Sequence, residues 1–416
     1  MSKIKIKNFG PVKNGFEENE GWMDVKKVTV FVGNQGSGKS TVAKLISTFT
    51  WIEKALVRGD YDAKWFERKN RLKNQYLNYH RLENYFDPIG ENDSTEIEYS
   101  GDAYHIKYEN GGLSIKEVAK GTYSLPQIMY VPAERNFIAN VKTPKALKLT
   151  SDSLIEFVTE FDNAKNEMKG SMKLPVNDVD IEYDKLNDIV NIKGNNYRVR
   201  LTEASSGFQS VVPLYLVTWF LANTVKNQGE VSKEPMSSEE LERFRKGVSE
   251  IWSNDNLSDE QKRVALSVLS SKFNKSSFIN IVEEPEQNLF PTSQREILNS
   301  LIEFNNMTKN NQLIMTTHSP YVINYLSLAV QGFTLKNKIG ASQHPEPLLQ
   351  RLNSIISVDS LIDPSDLIIY QLDENGTITK LPAFEGVPSD RNYLNDSLMS
   401  ANQMFDALLD IEEELQ

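Results

Sequence analysis

The stretch Gly33-Asn34-Gln35-Gly36-Ser37-Gly38-Lys39-Ser40 decides the fold, because it matches the phosphate-binding pattern G-x-x-x-x-G-K-[ST]. Glycines at these positions let successive backbone N–H groups turn toward phosphate oxygens, and the helix that follows adds the positive end of its dipole. An accidental glycine-rich turn is the alternative. The pattern predicts nucleotide contacts from Asn34, Gln35, Gly36, Ser37, Gly38, Lys39, Ser40 and Thr41.

The residues on either side favour the phosphate-binding interpretation. The apolar stretch Val28-Thr29-Val30-Phe31-Val32 precedes the loop, and a helical pattern follows from Ser40 to about Val57. Strand, loop and helix in this order are the context that the pattern requires. We expect Lys39 to reach the β- and γ-phosphates of ATP and the Ser40 hydroxyl to bind Mg²⁺.

A second motif lies at Phe278-Ile279-Asn280-Ile281-Val282-Glu283-Glu284-Pro285-Glu286, where a buried strand is predicted to end in paired acids. A carboxylate at a strand end beside a phosphate loop can hold Mg²⁺, and the next one can orient and deprotonate the attacking water. We therefore assign Glu283 to the metal and Glu284 to catalysis. A solvated acidic turn, the commoner structure for such a segment alone, is the alternative.

Two shorter segments complete the set of motifs. Leu313-Ile314-Met315-Thr316-Thr317-His318 predicts another buried strand, and His318 at its end can bond a γ-phosphate or the attacking water. Ser205-Ser206-Gly207-Phe208-Gln209-Ser210 precedes an apolar helix, whose first amides can bind an anion. Taken alone, the histidine would more often be structural, and the serines would be an ordinary helix N-cap.

Composition limits the class of protein. The chain has 416 residues, of which 39% are hydrophobic and 25% charged, as in ordinary soluble globular proteins. It contains no cysteine, which excludes disulfides, thiolate metal sites and cysteine nucleophiles. No apolar run approaches the roughly 20 residues of a membrane span, so we expect a cytoplasmic protein without membrane contact. The net charge of -11 gives no support for nucleic-acid binding, which would need a local basic patch.

The pattern along the chain predicts an α/β fold, with a single domain over residues 1–416. Alternating polar and apolar residues at 95–131 and 179–201 are typical of strands. Three further segments are expected: a basic and aromatic helical insertion at 58–90, a polar helical insertion at 226–275, and a C-terminal hairpin with an acidic helix at 367–416.

The order of these motifs resembles that in the ABC-type ATPase heads of the RecF, SMC and OLD group. The resemblance spans most of the chain and implies a P-loop NTPase fold with an antiparallel β subdomain. Ser206-Gly207-Phe208-Gln209 is similar to the family's signature loop, and Glu283-Glu284-Pro285-Glu286 to its Walker B motif. His318 is similar to its switch histidine, and residues 130–135 resemble a segment of stand-alone bacterial members.

The sequence departs from the family in three places. Glu283 stands where Walker B usually has aspartate, and Phe208 stands where many relatives have glycine. The glutamine-loop residue of the family has two candidates here, Gln127 and Arg135. These departures bear on the hydrolysis rate more than on ATP binding.

The resemblance implies that two copies form a homodimer, or part of a higher homo-oligomer, around ATP and Mg²⁺. Each ATP would lie between Lys39 of one subunit and the signature loop of the other. The residues expected to act in trans are Ser205, Ser206, Gly207 and Gln209. Hydrolysis by Glu284 and His318 would loosen the pair, so we expect a slow, regulatory ATPase.

Two kinds of relative remain open. In size and motifs the chain resembles the AriA ATPase subunits of PARIS-type antiphage systems, which implies a separate Toprim-type nuclease effector and a phage-encoded trigger protein. The alternative is a DNA-binding repair ATPase of the RecF type. The basic and aromatic stretch Lys64–Lys73 supports that alternative, although a solvated helix face also explains it.

Overall fold

The computed structural model describes residues 2–86, 95–109, 111–118, 123–141, 151–229, 238–254, 257, 262, 265, 269, 275–342 and 344–414. In these residues the helices are α1 Lys39–Arg58, α2 Ala63–Phe66, α3 Asp152–Glu167, α4 Ser206–Gly229, α5 Ser238–Trp252, α6 Pro291–Asn306, α7 Pro320–Gly340, α8 Pro345–Ile355 and α9 Tyr393–Glu414. The strands are β1 Lys3–Lys7, β2 Gly15–Phe16, β3 Trp22–Asp24, β4 Val28–Gly33, β5 Glu96–Ser100, β6 Tyr104–Glu109, β7 Gly112–Glu117, β8 Pro126–Val131, β9 Ser171–Lys173, β10 Asp180–Asp184, β11 Ile189–Lys193, β12 Arg198–Arg200, β13 Ser277–Glu283, β14 Gln312–Thr317, β15 Leu367–Leu372, β16 Thr377–Lys380, β17 Ala383–Phe384 and β18 Val387–Pro388.

The central sheet has the strand order β2-β16-β15-β4-β14-β13-β8. Strands β15, β4, β14, β13 and β8 run parallel to one another, and β16 is antiparallel to β15. Parallel strands are covered on both faces, and on β4 Val30 belongs to one core cluster while Phe31 belongs to the other. The carboxyl ends of β4, β13 and β14 therefore meet at one edge of the sheet, where the loops that follow them carry the predicted motifs.

Different layers cover the two faces of this sheet. On one face α4, α6 and α7 pack together with the antiparallel sheet β12-β11-β10-β9. On the other face α1 is enclosed by the antiparallel sheet β3-β1-β5-β6-β7, which supplies buried residues such as Ile4, Ile97 and Ile106. The predicted α/β fold with an antiparallel β subdomain is confirmed.

Helix α4 is long and apolar enough to cross a membrane, since its window Ser206–Gln228 has a mean hydropathy of 1.3. However, 67% of that window is buried inside the protein. Val212 and Leu216 have no exposed surface at all. A helix that is apolar almost all round is expected in the core of a large domain, and packing against α3 and α6 accounts for its composition.

The helical insertion expected at 58–90 is, in its described residues, a series of short helical turns after the end of α1. Gly59, in the left-handed conformation, ends α1, and Asn70 has a φ of 60°. Such residues cannot continue a right-handed helix. Helix α2, a π-helical turn at Leu72–Tyr76 and a 3₁₀ turn at Asn78–His80 follow one another instead. Residues 87–90 of this segment lie outside the described part.

The other two predicted segments contain regular elements. Helix α5 lies within 226–275, whereas most of 255–274 is outside the described residues. Strands β15 and β16 form the C-terminal hairpin, with Tyr370 opposite Lys380. Helix α9 follows, and its residues 401–413 are exposed.

Candidate nucleotide-binding site

The P-loop connects β4 to α1 at the carboxyl edge of the central sheet. A Cβ atom on Gly33 would lie 2.3 Å from the carbonyl oxygen of Leu372 on the neighbouring strand, so no larger residue fits there. Gly38 precedes α1 in the left-handed conformation, with a φ of 103°, which other residues rarely adopt. Two of the three P-loop glycines are therefore required by the local backbone as well as by any phosphate.

The Lys39 ammonium group lies over the P-loop. Its Nζ donates hydrogen bonds to the carbonyl oxygens of Gly33 at 2.8 Å and Asn34 at 2.7 Å, and the residue is only 5% exposed. Burial lowers the pKa of Lys39 to about 8, while the carboxylates of Glu284, Glu286 and Glu283 oppose the shift. The positive charge is therefore held at the loop by nearby acids despite its burial.

The predicted metal residues offer oxygen atoms that suit Mg²⁺. Glu283 accepts a hydrogen bond from the Ala133 N–H at Oε2, at 3.1 Å, while its buried Oε1 has no hydrogen-bond partner in the described chain. The buried Ser37 hydroxyl is likewise unpartnered there. Ser40 stands half-buried in the first turn of α1. No cluster of three His, Asp or Glu side chains that could hold a metal occurs among the described residues. This donor set fits Mg²⁺, which typically binds one or two protein oxygens, substrate phosphates and water.

Glu284 and His318 lie together, as the order of motifs predicted. Glu284 Oε1 is 3.4 Å from His318 Nε2, and this interaction is the main cause that holds the pKa of Glu284 below its usual value. Arg135 and Lys39 act in the same direction. Glu284 also has a φ of 44°, a conformation that costs free energy and is often found at functional sites. The side chain is thus an ionised carboxylate that can accept a proton.

Glu286 was not singled out from the sequence, yet it organises the loop after β14. Its Oε1 accepts hydrogen bonds from the His318 N–H at 2.7 Å and from the Thr317 hydroxyl at 2.8 Å. Burial raises the pKa of Glu286, and its Oε2 is buried without a hydrogen-bond partner in the described chain. The sequence signal for a third functional acid was the presence of three glutamates within the four residues 283–286, because a solvated turn does not require so many.

Arg135 is fully buried behind the acidic motif. It donates hydrogen bonds to the carbonyl oxygens of Glu283 at 2.7 Å and Glu284 at 2.5 Å, and to that of Ser210 on α4 at 3.2 Å. Burial lowers its pKa to about 10, so the guanidinium remains charged. Arg135 therefore holds the backbone of the acidic motif against α4.

The structure does not bring Gln127, the other glutamine-loop candidate, to the site. Parallel pairing places Gln127 opposite Phe278, at the amino end of β13, while Val131 pairs with Val282 at the carboxyl end. A strand rises about 3.3 Å per residue, so Gln127 lies at the opposite edge of the sheet from Glu283.

The serine-glycine segment stands at the start of α4. Ser205 and Ser206 are exposed, and no hydrogen bond in the described chain joins either of them to the P-loop. A Cβ on Gly207 would lie 2.8 Å from the carbonyl oxygen of Asn288, which places this segment against the loop after the acidic motif. The Gln209 amide does not face outward, because it donates to the carbonyl oxygens of Ala204 and Thr202.

The C-terminal hairpin contacts the P-loop at Asn34. The Asn34 side chain donates a 2.6 Å hydrogen bond to Glu374 Oε1. Residues of the P-loop, His318 and the first turns of α9, including Leu394 and Ser397, border one open groove. No sequence signal pointed to Glu374, because 340 residues separate it from Asn34.

The sequence matches the AAA_21 family, described as "AAA domain, putative AbiEii toxin, Type IV TA system", over residues 28–324, which is more than half of the chain. The chain belongs to the AAA_21 family. The match begins at β4 and ends in α7, so it contains every motif of the candidate site. This AAA_21 protein is a P-loop ATPase by family.

Comparison with solved structures gives matches of low identity. An SMC head domain from Thermotoga maritima is 12% identical, covers 92% of this chain and 98% of its own, and has a TM-score of 0.35. MJ0796, a bacterial ABC transporter cassette in dimeric form, is 12% identical, covers 92% of this chain and 100% of its own, and has a TM-score of 0.26. No curated protein matches the AAA_21 chain in sequence.

Proposed function

We propose that this AAA_21 protein is an ATP-hydrolysing switch in which two copies close around ATP and Mg²⁺ and thereby control a separate effector. The observation that carries the proposal is the surface at the start of α4. There Ser205 and Ser206 are exposed, and Phe290, in the loop that packs against Gly207, is itself 73% exposed.

This surface has the features of a protein interface next to an anion site. The first amides of α4 have no partners within a helix, and the dipole of a 24-residue helix favours an anion at this end. Asn288 touches Gly207, so the loop that carries Phe290 lies beside the same helix end. An exposed aromatic side chain next to free amides suits a second subunit that brings phosphate with it.

The residues of the site have distinct proposed roles. Lys39 and the P-loop amides bind the phosphates, and Ser40 and Glu283 would hold Mg²⁺, which neutralises phosphate charge when bound. Glu284 accepts a proton from the attacking water, and His318 orients that water and the carboxylate. Glu286 fixes His318 through its backbone N–H. Glutamate at position 283 reaches farther than the family's aspartate, which favours slow, regulatory hydrolysis.

Helix α9 is the proposed contact for an effector. It begins at the groove beside Asn34 and His318, and it exposes Met404, Phe405 and Leu408, each at more than 60%. The helix also carries acidic residues and no lysine or arginine, so a partner with a basic and apolar surface fits it. By resemblance to AriA subunits, we propose a separate Toprim-type nuclease as this partner, a phage-encoded trigger protein, and a role in cytoplasmic antiphage defence.

A complementation experiment tests the shared site. We expect Lys39→Ala and Ser206→Glu each to lack ATPase activity, since one removes the phosphate-binding cation and the other places a like charge beside the phosphate. In a two-fold dimer with one variant per subunit, one of the two sites keeps both an intact P-loop and an intact serine. An equal mixture should therefore recover about one quarter of wild-type activity. No recovery, in subunits shown to exchange, would contradict a site built from two copies.

DNA binding is the second candidate function, and the segment after α1 is the observation that favours it. Lys64, Arg68, Lys69 and Lys73 are exposed there. Arg68 and Arg71 lie over the Trp65 ring at 4.9 and 4.1 Å, so part of the basic charge has a structural role. A gel shift on duplex DNA separates the two functions: strong binding that weakens steeply with salt supports a DNA-repair ATPase, and its absence supports the protein-controlling switch.

A further inference from the structure

A cavity of about 260 Å³ lies between α1, the turns at 72–80, β8 and the start of α3. It is distinct from the nucleotide site, because no P-loop residue lines it. Aromatic, imidazole and acidic side chains line it: Trp51, Tyr76, Tyr79, His80, Tyr130, Asp152 and Glu156. For scale, an apolar cavity of roughly 150 Å³ is enough to hold a benzene molecule.

The inner wall of the cavity carries polar atoms that the described chain leaves without hydrogen-bond partners. His80 is 2% exposed, and neither of its ring nitrogens has a partner there. The Tyr130 ring centroid lies 4.6 Å from that of His80, and the buried Tyr130 hydroxyl lies beside the Glu283 carboxylate of the nucleotide site. Buried polar groups are bound in nearly all native proteins, so the unpartnered imidazole on a cavity wall points to a ligand or ordered water.

The protonation state of His80 defines what it can recognise. Burial lowers the pKa of His80 to about 3, so the ring is neutral and offers one donor and one acceptor. The inner wall thus presents mixed donors and acceptors within a small area, which a purely apolar molecule would not satisfy.

The mouth of the cavity is aromatic and acidic. Trp51 and Tyr76, with ring centroids 5.5 Å apart, line it together with Asp152 and Glu156, and the Tyr79 hydroxyl donates a hydrogen bond to Glu156 Oε2. No lysine or arginine lines the cavity among the described residues, so it disfavours phosphate and other anions. Aromatic side chains stack on flat rings, and carboxylates accept hydrogen bonds from ring amino groups.

We propose that this cavity binds a free nucleobase, a flat uncharged ring with alternating donors and acceptors, between Trp51 and the imidazole of His80. The ring stacks on Trp51, and its polar edge bonds the imidazole. This site does not depend on the P-loop, and it stands whether or not the proposed dimer forms.

Isothermal titration with adenine, guanine, cytosine and uracil tests the proposal. At least one base should bind the wild-type protein with one site per chain. Lys39→Ala should bind it equally well, and saturating ATP with Mg²⁺ should not displace it. Displacement by ATP would assign the binding to the nucleotide site and overturn the proposal. If none of the four bases binds, the proposal is also overturned, and ordered water is the occupant of the cavity.

A variant of the wall separates binding from folding. His80→Phe keeps the ring volume and removes both nitrogens, so we expect the Kd of the bound base to rise at least about tenfold, with an unchanged circular dichroism spectrum. His105→Phe is the matched control, since His105 lies outside the cavity on β6, where its Nε2 is 3.6 Å from Glu98. Unchanged affinity in His80→Phe would refute the assignment, and so would equal loss in the control.

Discussion

Replacing Arg135 by methionine tests whether the buried guanidinium holds the catalytic loop in place. Methionine fills a similar volume but cannot donate to the carbonyl oxygens of Glu283, Glu284 and Ser210. The variant therefore breaks the link between the acidic motif and α4 without opening a large cavity. The expected effects are lower stability and a misplaced Glu284.

The structure sets the size of both effects. The two shortest bonds, 2.7 Å to Glu283 and 2.5 Å to Glu284, are charged hydrogen bonds, and each such bond stabilises by about 1.5–3 kcal/mol. Removing a buried charge offsets part of this loss, so we expect the free energy of unfolding to fall by about 3 kcal/mol. A shift of about 1 Å in a catalytic group costs on the order of a hundredfold in rate, and we expect that loss in kcat.

Urea unfolding and steady-state ATPase assays measure these two quantities, and titration with a fluorescent ATP analogue checks that the P-loop still binds. Arg135→Lys keeps the charge but loses the planar fork, so it should fall between wild type and Arg135→Met. The surface control is Arg200→Met. Arg200 is exposed, and its ion pair with Glu203, at 3.7 Å, is exposed as well, so it contributes little to stability. Wild-type stability and kcat in Arg135→Met would refute the proposed positioning role.

Three further predictions concern the site and its surface. Glu284→Gln should retain ATP binding but lose hydrolysis and accumulate an ATP-bound dimer, which light scattering detects; hydrolysis at the normal rate would mean that another residue activates the water. Because burial lowers the pKa of Lys39 to about 8, the free protein loses this charge as pH rises through that value. ATP binding should then weaken and take up a proton at about pH 9 but not at pH 7, which calorimetry in two buffers measures; identical proton uptake at both pH values would contradict it. Phe290→Asp should abolish the ATP-dependent dimer with little change in ATP affinity, and sedimentation with ATP measures this. If the wild type and the variant both sediment as monomers with ATP, the proposed interface is wrong.

The sequence indicated the central fold because its signals are local. The P-loop requires its glycines and Lys39 within eight neighbouring positions, and the apolar strands before Gly33 and Glu283 carry their own pattern. Motif order along the chain was sufficient to bring Glu284 and His318 together, since parallel strands place their carboxyl ends at one edge. The helical insertion expected at 58–90 is divided into short helical turns, because residues such as Asn70 adopt a left-handed conformation that the pattern does not reveal.

Sequence alone therefore determined the phosphate loop, the paired acids and the α/β class, each through residues close together in the chain. Tertiary structure alone decided which distant groups meet. Strand register places Gln127 at the edge of the sheet opposite the site. Packing of distant elements brings Arg135 to the backbone of Glu283, and it also brings Asn34 to Glu374. The physical reason is that these contacts depend on the pairing and packing of whole elements, which no local pattern of residue types encodes.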